Sequence, residues 1–350
     1  MQIFNEIANV NSIGILNEMP MAIEIHQDAP GIAHFYNGDS CHIGCLGCLN
    51  PRCMSFSEEE IECNYIEGFP YDRNTNVCPV EAISWNTTSA VPEINPTNCM
   101  SCGICVSRCP VGALYFTSDG EVRVATSDTQ YVEFKESNDT NQSIHNTQTA
   151  QLSELPRAGV ALNVSDQIIE GIYEKLFRLR NNYHNSVGRN LLIALGCKCS
   201  TRRIGDVYTR MDAVYLSNGG SFGAVEIEFG RDTLDASRAI LDDIAVLNTR
   251  YGVNKNNDRA IVICLQLPNA RQGYWQVVKD IKEVENIKIG TITIGALMFL
   301  LWNGCKLEPE GDLYYIDYDD MDLRQKLCYQ VDCDNIPISN KKLGILEPEK

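Results

Sequence analysis

Ten of the sixteen cysteines lie between residues 41 and 109, and this concentration is the feature that most constrains the fold. The amino terminus lacks the basic start and apolar run of a secretory signal. The longest apolar stretch, residues 291–302, is shorter than the roughly 20 residues of a membrane-spanning helix. We therefore expect a cytoplasmic protein without a membrane partner. In that reducing compartment clustered cysteines bind metals more often than they form disulfides.

The tightest group has the spacing C-x2-C-x2-C-x3-C-P and consists of Cys99, Cys102, Cys105 and Cys109. The segment C-P-V-G-A-L that begins at Cys109 has a counterpart, C-P-V-E-A-I, that begins at Cys78. These motifs resemble those of bacterial two-cluster ferredoxins, in which three thiolates of one loop bind one [4Fe–4S] cluster and the fourth cysteine binds the other. The resemblance implies an α+β ferredoxin-like domain with two [4Fe–4S] clusters over residues 1–125.

The same resemblance implies the ligands of each cluster. One cluster would be bound by Cys78, Cys99, Cys102 and Cys105, and the other by Cys41, Cys45, Cys48 and Cys109. The chain departs from the family pattern by one extra residue between Cys41 and Cys45 and by a 29-residue interval before Cys78. That interval contains Cys53, which is an alternative ligand of the other cluster. Zinc sites remain an alternative, although the repeated C-P signature is not a zinc-finger spacing. A purely structural role for the clusters is also open.

The net charge of −17 is distributed unevenly. Residues 1–150 carry 5 Lys and Arg against 19 Asp and Glu, whereas residues 157–210 carry 9 basic against 4 acidic residues. The segment 126–156 is polar and is expected to be a linker, which leaves residues 157–350 for a second domain. An acidic first domain suits a basic redox partner, and the locally basic start of the second domain permits contact with nucleic acid.

Hydrophobic periodicity indicates that the second domain is α/β. A helix is expected from Ser165 or Asp166, with Phe177 on its buried face. Strands are expected at residues 190–195, 212–216, 222–229 and 260–267, with a tight turn at 217–221 and a helix at 232–248. A further strand at 291–294 is expected to lead into a helix at 295–302.

Three carboxylates stand out in this pattern. Asp212 opens one strand of the expected hairpin, and Glu226 and Glu228 lie on one face of the next strand. The element order and these residues resemble the PD-(D/E)xK, restriction-endonuclease-like nucleases. The resemblance implies Asp212, Glu226 and Glu228 as catalytic residues, with Asp212 and Glu226 holding Mg²⁺ or Mn²⁺. Glu228 stands where lysine is usual in that family, so Arg231 or Arg238 is expected to supply the missing positive charge.

The leading hypothesis is therefore an iron–sulfur protein with a metal-dependent DNA endonuclease domain, acting in bacterial defence or DNA processing. One alternative is a ferredoxin-type electron-transfer protein whose second domain only binds a partner. Another is a DNA-binding module without catalysis. The carboxylates have a plainer interpretation as the solvated face of an edge hairpin. Cys197 and Cys199 have no partner pair in the sequence and are expected to be buried thiols.

Overall fold

The described parts of the chain group into two units. The computed structural model describes residues 45, 51–88, 91–109, 113–116, 120–124, 165–179, 181–230, 233–254, 260–269, 273–307, 314, 323–336 and 338–344. Among these, the residues up to Phe56, Asn76–Ile168 and Leu301–Cys305 form the first unit, and the others form the second. Ser57–Thr75 therefore groups with the second unit, and Leu301–Cys305 with the first, unlike the expected division at 125 and 157. The expected linker at 126–156 lies outside the described residues.

The first unit contains two short antiparallel hairpins and one short helix. β1 (Ile83–Asn86) pairs with β2 (Val91–Ile94), and β3 (Leu114–Phe116) pairs with β4 (Val122–Val124). Helix α2 (Ile104–Arg108) lies between the two hairpins in sequence. Because such short elements bury little apolar surface, we expect a unit of this kind to depend on a bound group for stability.

The second unit is built on a five-stranded mixed sheet of order β5-β6-β7-β8-β9. Its strands are β5 (Lys198–Thr201), β6 (Ala213–Leu216), β7 (Phe222–Glu228), β8 (Ala260–Cys264) and β9 (Ile289–Thr293). The first three are antiparallel neighbours, and β8 and β9 continue the sheet in parallel. Every residue of β8 is buried, as a parallel strand covered on both faces requires.

The expected hairpin at residues 212–229 is present, but it is not at an edge of the sheet. The N–H of Gly220 donates to the Ser217 carbonyl at 3.0 Å and closes the turn, with Gly220 at φ +89°. On β7, Val225 and Ile227 are buried, whereas Glu226 and Glu228 are half-buried on the opposite face. Because β6 and β7 both have a strand on either side, the interpretation of the carboxylates as an edge hairpin's solvated face is wrong.

Helices connect and follow the strands of the second unit. They are α1 (Glu58–Ile61), α3 (Ser165–Leu176), α4 (Asn181–Ala194), α5 (Leu234–Tyr251), α6 (Gly273–Glu285), α7 (Ile294–Trp302), α8 (Leu323–Val331) and α9 (Asn340–Leu343). A Cβ atom on Gly188 would lie 2.6 Å from Cδ1 of Ile227, so glycine lets α4 approach β7 closely. None of the helices in the described ranges is long and apolar enough to cross a membrane.

Two expectations about secondary structure and burial are wrong. Residues 190–194 belong to α4 and not to a strand, because a six-residue apolar run fits a buried helix segment as well as a buried strand. The strand follows three residues later, at β5. Phe177 continues the helical periodicity of α3, yet 60% of it is exposed, because the helix ends at Leu176.

Candidate functional site

Four cysteines of the first unit line one small apolar cavity. Cys99 and Cys102 come from the loop before α2, Cys105 lies in the first turn of α2, and Cys78 precedes β1. The other lining residues are almost all apolar: Val77, Val80, Ala82, Ile83, Ile94, Met100, Gly103, Ile104 and Val122. The cysteines that sequence analysis grouped through the C-P signature are therefore also grouped in space.

The backbone of the cysteine loop is fixed by a glycine and by a tryptophan. Gly103 has φ +81°, and a Cβ there would lie 2.9 Å from the ring of Phe116 and 3.0 Å from Nε1 of Trp302. That same Nε1 donates to the Cys102 carbonyl at 3.0 Å. Phe116 and Trp302 are buried and meet edge to face, with ring centroids 6.4 Å apart. Only glycine fits this position without displacing them.

Backbone N–H groups point at several of the cysteine sulfurs. The N–H of Ala82 donates to Sγ of Cys78 at 3.1 Å, and the N–H of Ala113 donates to Sγ of Cys109 at 3.2 Å. Each of the two C-P-x-x-A segments therefore contains the same hydrogen bond, from the alanine N–H to the cysteine sulfur four residues earlier. Such hydrogen bonds stabilise thiolate sulfur and influence the reduction potential of an iron–sulfur cluster.

The apolar surroundings of this cavity oppose an uncompensated negative charge on Cys102 and Cys105. Burial raises the pKa of the Cys102 thiol well above its usual range, and the neighbouring Cys78 and Cys99 add to the shift. The pKa of Cys105 is raised for the same reasons, with a smaller contribution from Cys53. Thiolates gathered in an apolar cavity need cations to balance them, and iron supplies this charge when protons leave. The donor set therefore fits a [4Fe–4S] cluster.

No three His, Cys, Asp or Glu side chains of the described residues converge on one point so as to hold a single metal ion. In a [4Fe–4S] cluster each thiolate binds a different iron of the cube, so the four cysteines do not have to meet at one point. Of the other expected cluster ligands, Cys45 is buried, whereas Cys41 and Cys48 lie outside the described residues.

Asp212, Glu226 and Glu228 line a second cavity, which lies in the second unit and has a volume of about 890 Å³. Thr201 of β5 pairs with Ala213 of β6, which in turn pairs with Val225 of β7. One position beyond these pairs are Arg202, Asp212 and Glu226. The sheet register thus places one guanidinium and two carboxylates side by side on three neighbouring strands.

Asp212 is held firmly by its neighbours. Its Oδ1 accepts a hydrogen bond from Asn185 of α4 at 3.0 Å, and its Oδ2 accepts one from the backbone N–H of Ile227 at 3.1 Å. The guanidinium of Arg202 lies 3.8 Å from Oδ1. Glu228 is used locally, because its Oε1 accepts from the N–H of Gly230.

Burial and crowding raise the pKa values of Asp212, Glu226 and a third carboxylate, Asp243. Burial raises the pKa of Glu226 to about 9, and the charges of Asp212, Asp243 and Glu228 add to the effect, whereas Arg202 opposes it. The pKa of Asp212 is also raised, chiefly by burial. Sequence analysis missed Asp243 of α5, which is only 2% exposed and whose Oδ2 has no hydrogen-bond partner. Burial, followed by repulsion from Asp212, raises the pKa of Asp243 to about 7.

The arginines expected to replace the missing lysine are not part of this arrangement. Arg238 is 65% exposed at its side chain and lies 3.9 Å from Asp235, and it does not line the cavity. Arg231 lies outside the described residues. Among the described residues, the cavity is instead lined by Arg202 and Arg203, which belong to the locally basic segment 157–210.

The expectation that Cys197 and Cys199 are buried is confirmed, although they are not isolated. The N–H of Cys63 donates to Oγ of Ser200 at 2.6 Å, which brings Cys63 beside this pair. Burial raises the pKa of Cys63 and of Cys197 to about 12, and so these thiols stay protonated.

Comparison with known proteins identifies the cysteine loop. Residues 92–115 match the family of 4Fe-4S binding domains, and the match includes all four cysteines of the C-x2-C-x2-C-x3-C-P motif. The chain therefore contains a ferredoxin-type iron–sulfur domain that binds a [4Fe–4S] cluster. No curated protein and no solved structure matches the chain.

Proposed function

We propose that the chain is an iron–sulfur protein whose second unit hydrolyses phosphodiester bonds of DNA with a divalent cation held by Asp212 and Glu226. The observation that carries the proposal is the row of Arg202, Asp212 and Glu226 on three neighbouring strands, facing one cavity. The order of helix α4, three antiparallel strands, helix α5 and a parallel strand also agrees with the restriction-endonuclease-like core that the sequence resembles.

Two protein carboxylates are sufficient for the proposed cation. Mg²⁺ commonly takes one or two carboxylates and completes its octahedron with water and substrate phosphate oxygens. A bound Mg²⁺ or Mn²⁺ would activate a water molecule and stabilise the charge that develops on a phosphodiester. The hydrogen bonds from Asn185 and Ile227 fix the Asp212 carboxylate in place. The guanidinium of Arg202 beside it offers a contact for a phosphate oxygen.

The test is cleavage of plasmid DNA by anaerobically purified protein with Mg²⁺ or Mn²⁺. We expect Asp212→Asn and Glu226→Gln each to lower the rate at least 100-fold. The control is Asp235→Asn, the same chemical change at an exposed position of α5 that does not line the cavity. All three variants are purified in the same way, so that equal cleavage by all of them would identify a contaminant and refute the assignment.

Binding of the cation is tested separately from cleavage. A ligand that binds only the folded protein stabilises it, and so Mg²⁺ should raise the melting temperature of the wild type and of Asp235→Asn. The same addition should leave Asp212→Asn unchanged. An equal shift for Asp212→Asn would show that the cation binds elsewhere.

A DNA-binding module without catalysis is the second candidate. The observation that favours it is that both carboxylate oxygens of Asp212 already accept hydrogen bonds within the protein, which gives this carboxylate a role without a cation. DNA that is retained in EDTA, and is not cut when Mg²⁺ or Mn²⁺ is added, would support this candidate over the nuclease.

We further propose a second [4Fe–4S] cluster, bound by Cys41, Cys45, Cys48 and Cys109. The support is that Cys109 accepts a hydrogen bond from Ala113 in the way that Cys78 accepts one from Ala82. Two clusters require about eight irons per chain, and one requires about four. Cys109→Ser should therefore remove about half of the iron, and an iron content of about four in the wild type would exclude the second cluster.

An electron-transfer role, with a redox partner docking on the acidic first half of the chain, remains part of this proposal. Reversible reduction of the protein at low potential, monitored by visible absorbance, would support this role. If the clusters decompose on reduction, their role is structural.

A further inference from the structure

Several exposed apolar side chains of the second unit lie around the carboxylate cavity. Three of the large exposed hydrophobic side chains, Phe177, Ile204 and Val207, line the cavity, and Tyr208 follows directly in sequence. Ile204, Val207 and Tyr208 are 75%, 81% and 80% exposed. A contiguous exposed group of this kind marks a binding surface, whereas single exposed hydrophobic residues need no explanation.

Ile204, Val207 and Tyr208 lie on one loop, residues 202–210, which several hydrogen bonds stabilise. Asp206 Oδ1 accepts hydrogen bonds from the N–H groups of Tyr208 at 2.7 Å and Thr209 at 3.2 Å. At the base of the loop, Arg202 Nη1 donates to the Thr209 carbonyl at 2.9 Å. Arg250 Nη1 of α5 donates to the Tyr208 carbonyl at 3.1 Å. A partner that binds here does not have to order the loop first, which lowers the cost of binding.

Guanidinium groups stand among these apolar side chains. Arg202 and Arg203 line the same cavity as Phe177, Ile204 and Val207, together with five carboxylates, Asp72, Asp206, Asp212, Glu226 and Glu228. Arg203 is fixed to the second unit by a hydrogen bond from its N–H to the Pro70 carbonyl at 2.8 Å. Surfaces that bind unpaired nucleotides combine aromatic side chains, on which bases stack, with cations that pair with phosphates. Phe177 and Tyr208 are the aromatic side chains here, and Ile204 and Val207 add apolar contact area.

A duplex does not match this rim equally well. Its bases are stacked on one another and its surface offers charged phosphates, which have nothing to gain from Ile204, Val207 or Phe177. An unpaired base exposes both of its faces. The cavity volume of about 890 Å³ is at the upper end of the usual range for small-molecule sites, about 300–1,000 Å³.

We infer that the rim of Phe177, Ile204, Val207 and Tyr208, with Arg202 and Arg203, binds single-stranded DNA and places an unpaired nucleotide over Asp212 and Glu226. The inference rests on the proposed function, whose substrate it specifies. It concerns binding and does not require that the chain cut DNA.

The test is fluorescence anisotropy with a labelled oligodeoxythymidylate of about twelve nucleotides, in EDTA so that no cleavage occurs. A duplex of the same length is the comparison. We expect the single strand to bind at least tenfold more tightly than the duplex, and Ile204→Ser with Val207→Ser to weaken that binding about tenfold. Both positions are exposed, so the variant should fold as the wild type does.

Val284→Ser is the matched control, because Val284 is 78% exposed and does not line the cavity. It should bind as the wild type does. Equal affinity for single strand and duplex, or an unchanged affinity in the double variant, would overturn the inference. A change in oligomeric state of the double variant, with unchanged DNA affinity, would instead assign the rim to contact between copies of the chain and would also overturn it.

The two proposals can fail separately. If neither the wild type nor Asp212→Asn cuts DNA, but both bind the single strand, the nuclease assignment is refuted and the inference about binding stands. If the wild type cuts DNA and the double variant binds and cuts it equally well, the inference about binding is refuted and the nuclease assignment stands.

Discussion

Replacement of Gly103 by alanine should destabilise the first unit and reduce its cluster content. The residue lies between Cys102 and α2 with φ +81°, where an L-residue costs about 1–2 kcal/mol. The added Cβ would lie 2.9 Å from the Phe116 ring and 3.0 Å from Nε1 of Trp302. Both rings are buried and neither has room to withdraw, so overpacking adds about 1–3 kcal/mol. The sum is a loss of about 2–5 kcal/mol.

Gly68→Ala is the matched control for this variant. Gly68 has φ +79°, nearly the angle of Gly103, but no atom lies within 4 Å of the position that its Cβ would take. The control therefore carries only the conformational cost of about 1–2 kcal/mol. It lies outside the cysteine loop and should leave the iron content unchanged.

The assay is urea unfolding of the reconstituted protein under anaerobic conditions, followed by the visible absorbance of the cluster, with iron measured per chain. Cluster absorbance should be lost at a lower urea concentration in Gly103→Ala than in either Gly68→Ala or the wild type. If Gly103→Ala retains full iron and the wild-type midpoint, the packing of Phe116 and Trp302 against the cysteine loop does not constrain the cluster site.

Three other experiments test the two cavities. Cys78→Ser should remove one cluster's iron, about four atoms per chain, whereas Cys333→Ser should remove none, and equal iron in both would refute the ligand set. Asp243 keeps its proton in the folded chain up to about pH 7 but loses it above about pH 4 when unfolded, so stability should fall between these values. The shift is worth at most about 4 kcal/mol. In urea titrations with EDTA, Asp243→Asn should lose less stability than the wild type over this range, because, of the three carboxylates with raised pKa values, Asp212 and Glu226 remain. Parallel pH curves would contradict the assignment. If the proposed nuclease uses the charge of Arg202, Arg202→Lys should retain more cleavage than Arg202→Met, while Arg238→Met should cleave as the wild type does.

Local patterns in the sequence predicted the parts of the molecule that depend on neighbouring residues. The spacing of Cys99, Cys102 and Cys105 is enough to indicate one loop, because a short chain segment can bring its own side chains together. The turn at 217–221 and the alternation of β7 were predicted for the same reason. The helix α4 was missed and its apolar end was predicted as a strand, because that end contains no signal that separates a helix from a strand.

The contacts made between distant segments could not be predicted in this way. Tyr71 forms an isolated bridge with Arg202, and the N–H of Cys63 donates to Ser200, 137 positions away. These contacts attach residues 57–75 to the second unit, although their cysteine-rich sequence context indicated the first. Asp243 gave no signal either, since a single aspartate in an amphipathic helix usually faces water.

The positive charge beside the carboxylates comes from a neighbouring strand and not from the segment that follows Glu228. From the sequence, Arg231 or Arg238 was expected to supply this charge, because both positions follow the strand of Glu228 along the chain. In the sheet, residues that are adjacent across strands lie closer than residues further along one strand. The N–H of Arg202 donates to the Asp212 carbonyl at 2.9 Å, which fixes Arg202 beside Asp212 from the other flank of β6. The cavity therefore contains a cationic side chain, Arg202, although position 228 is a glutamate. In the proposed nuclease, Arg202 is the residue placed to face a phosphate.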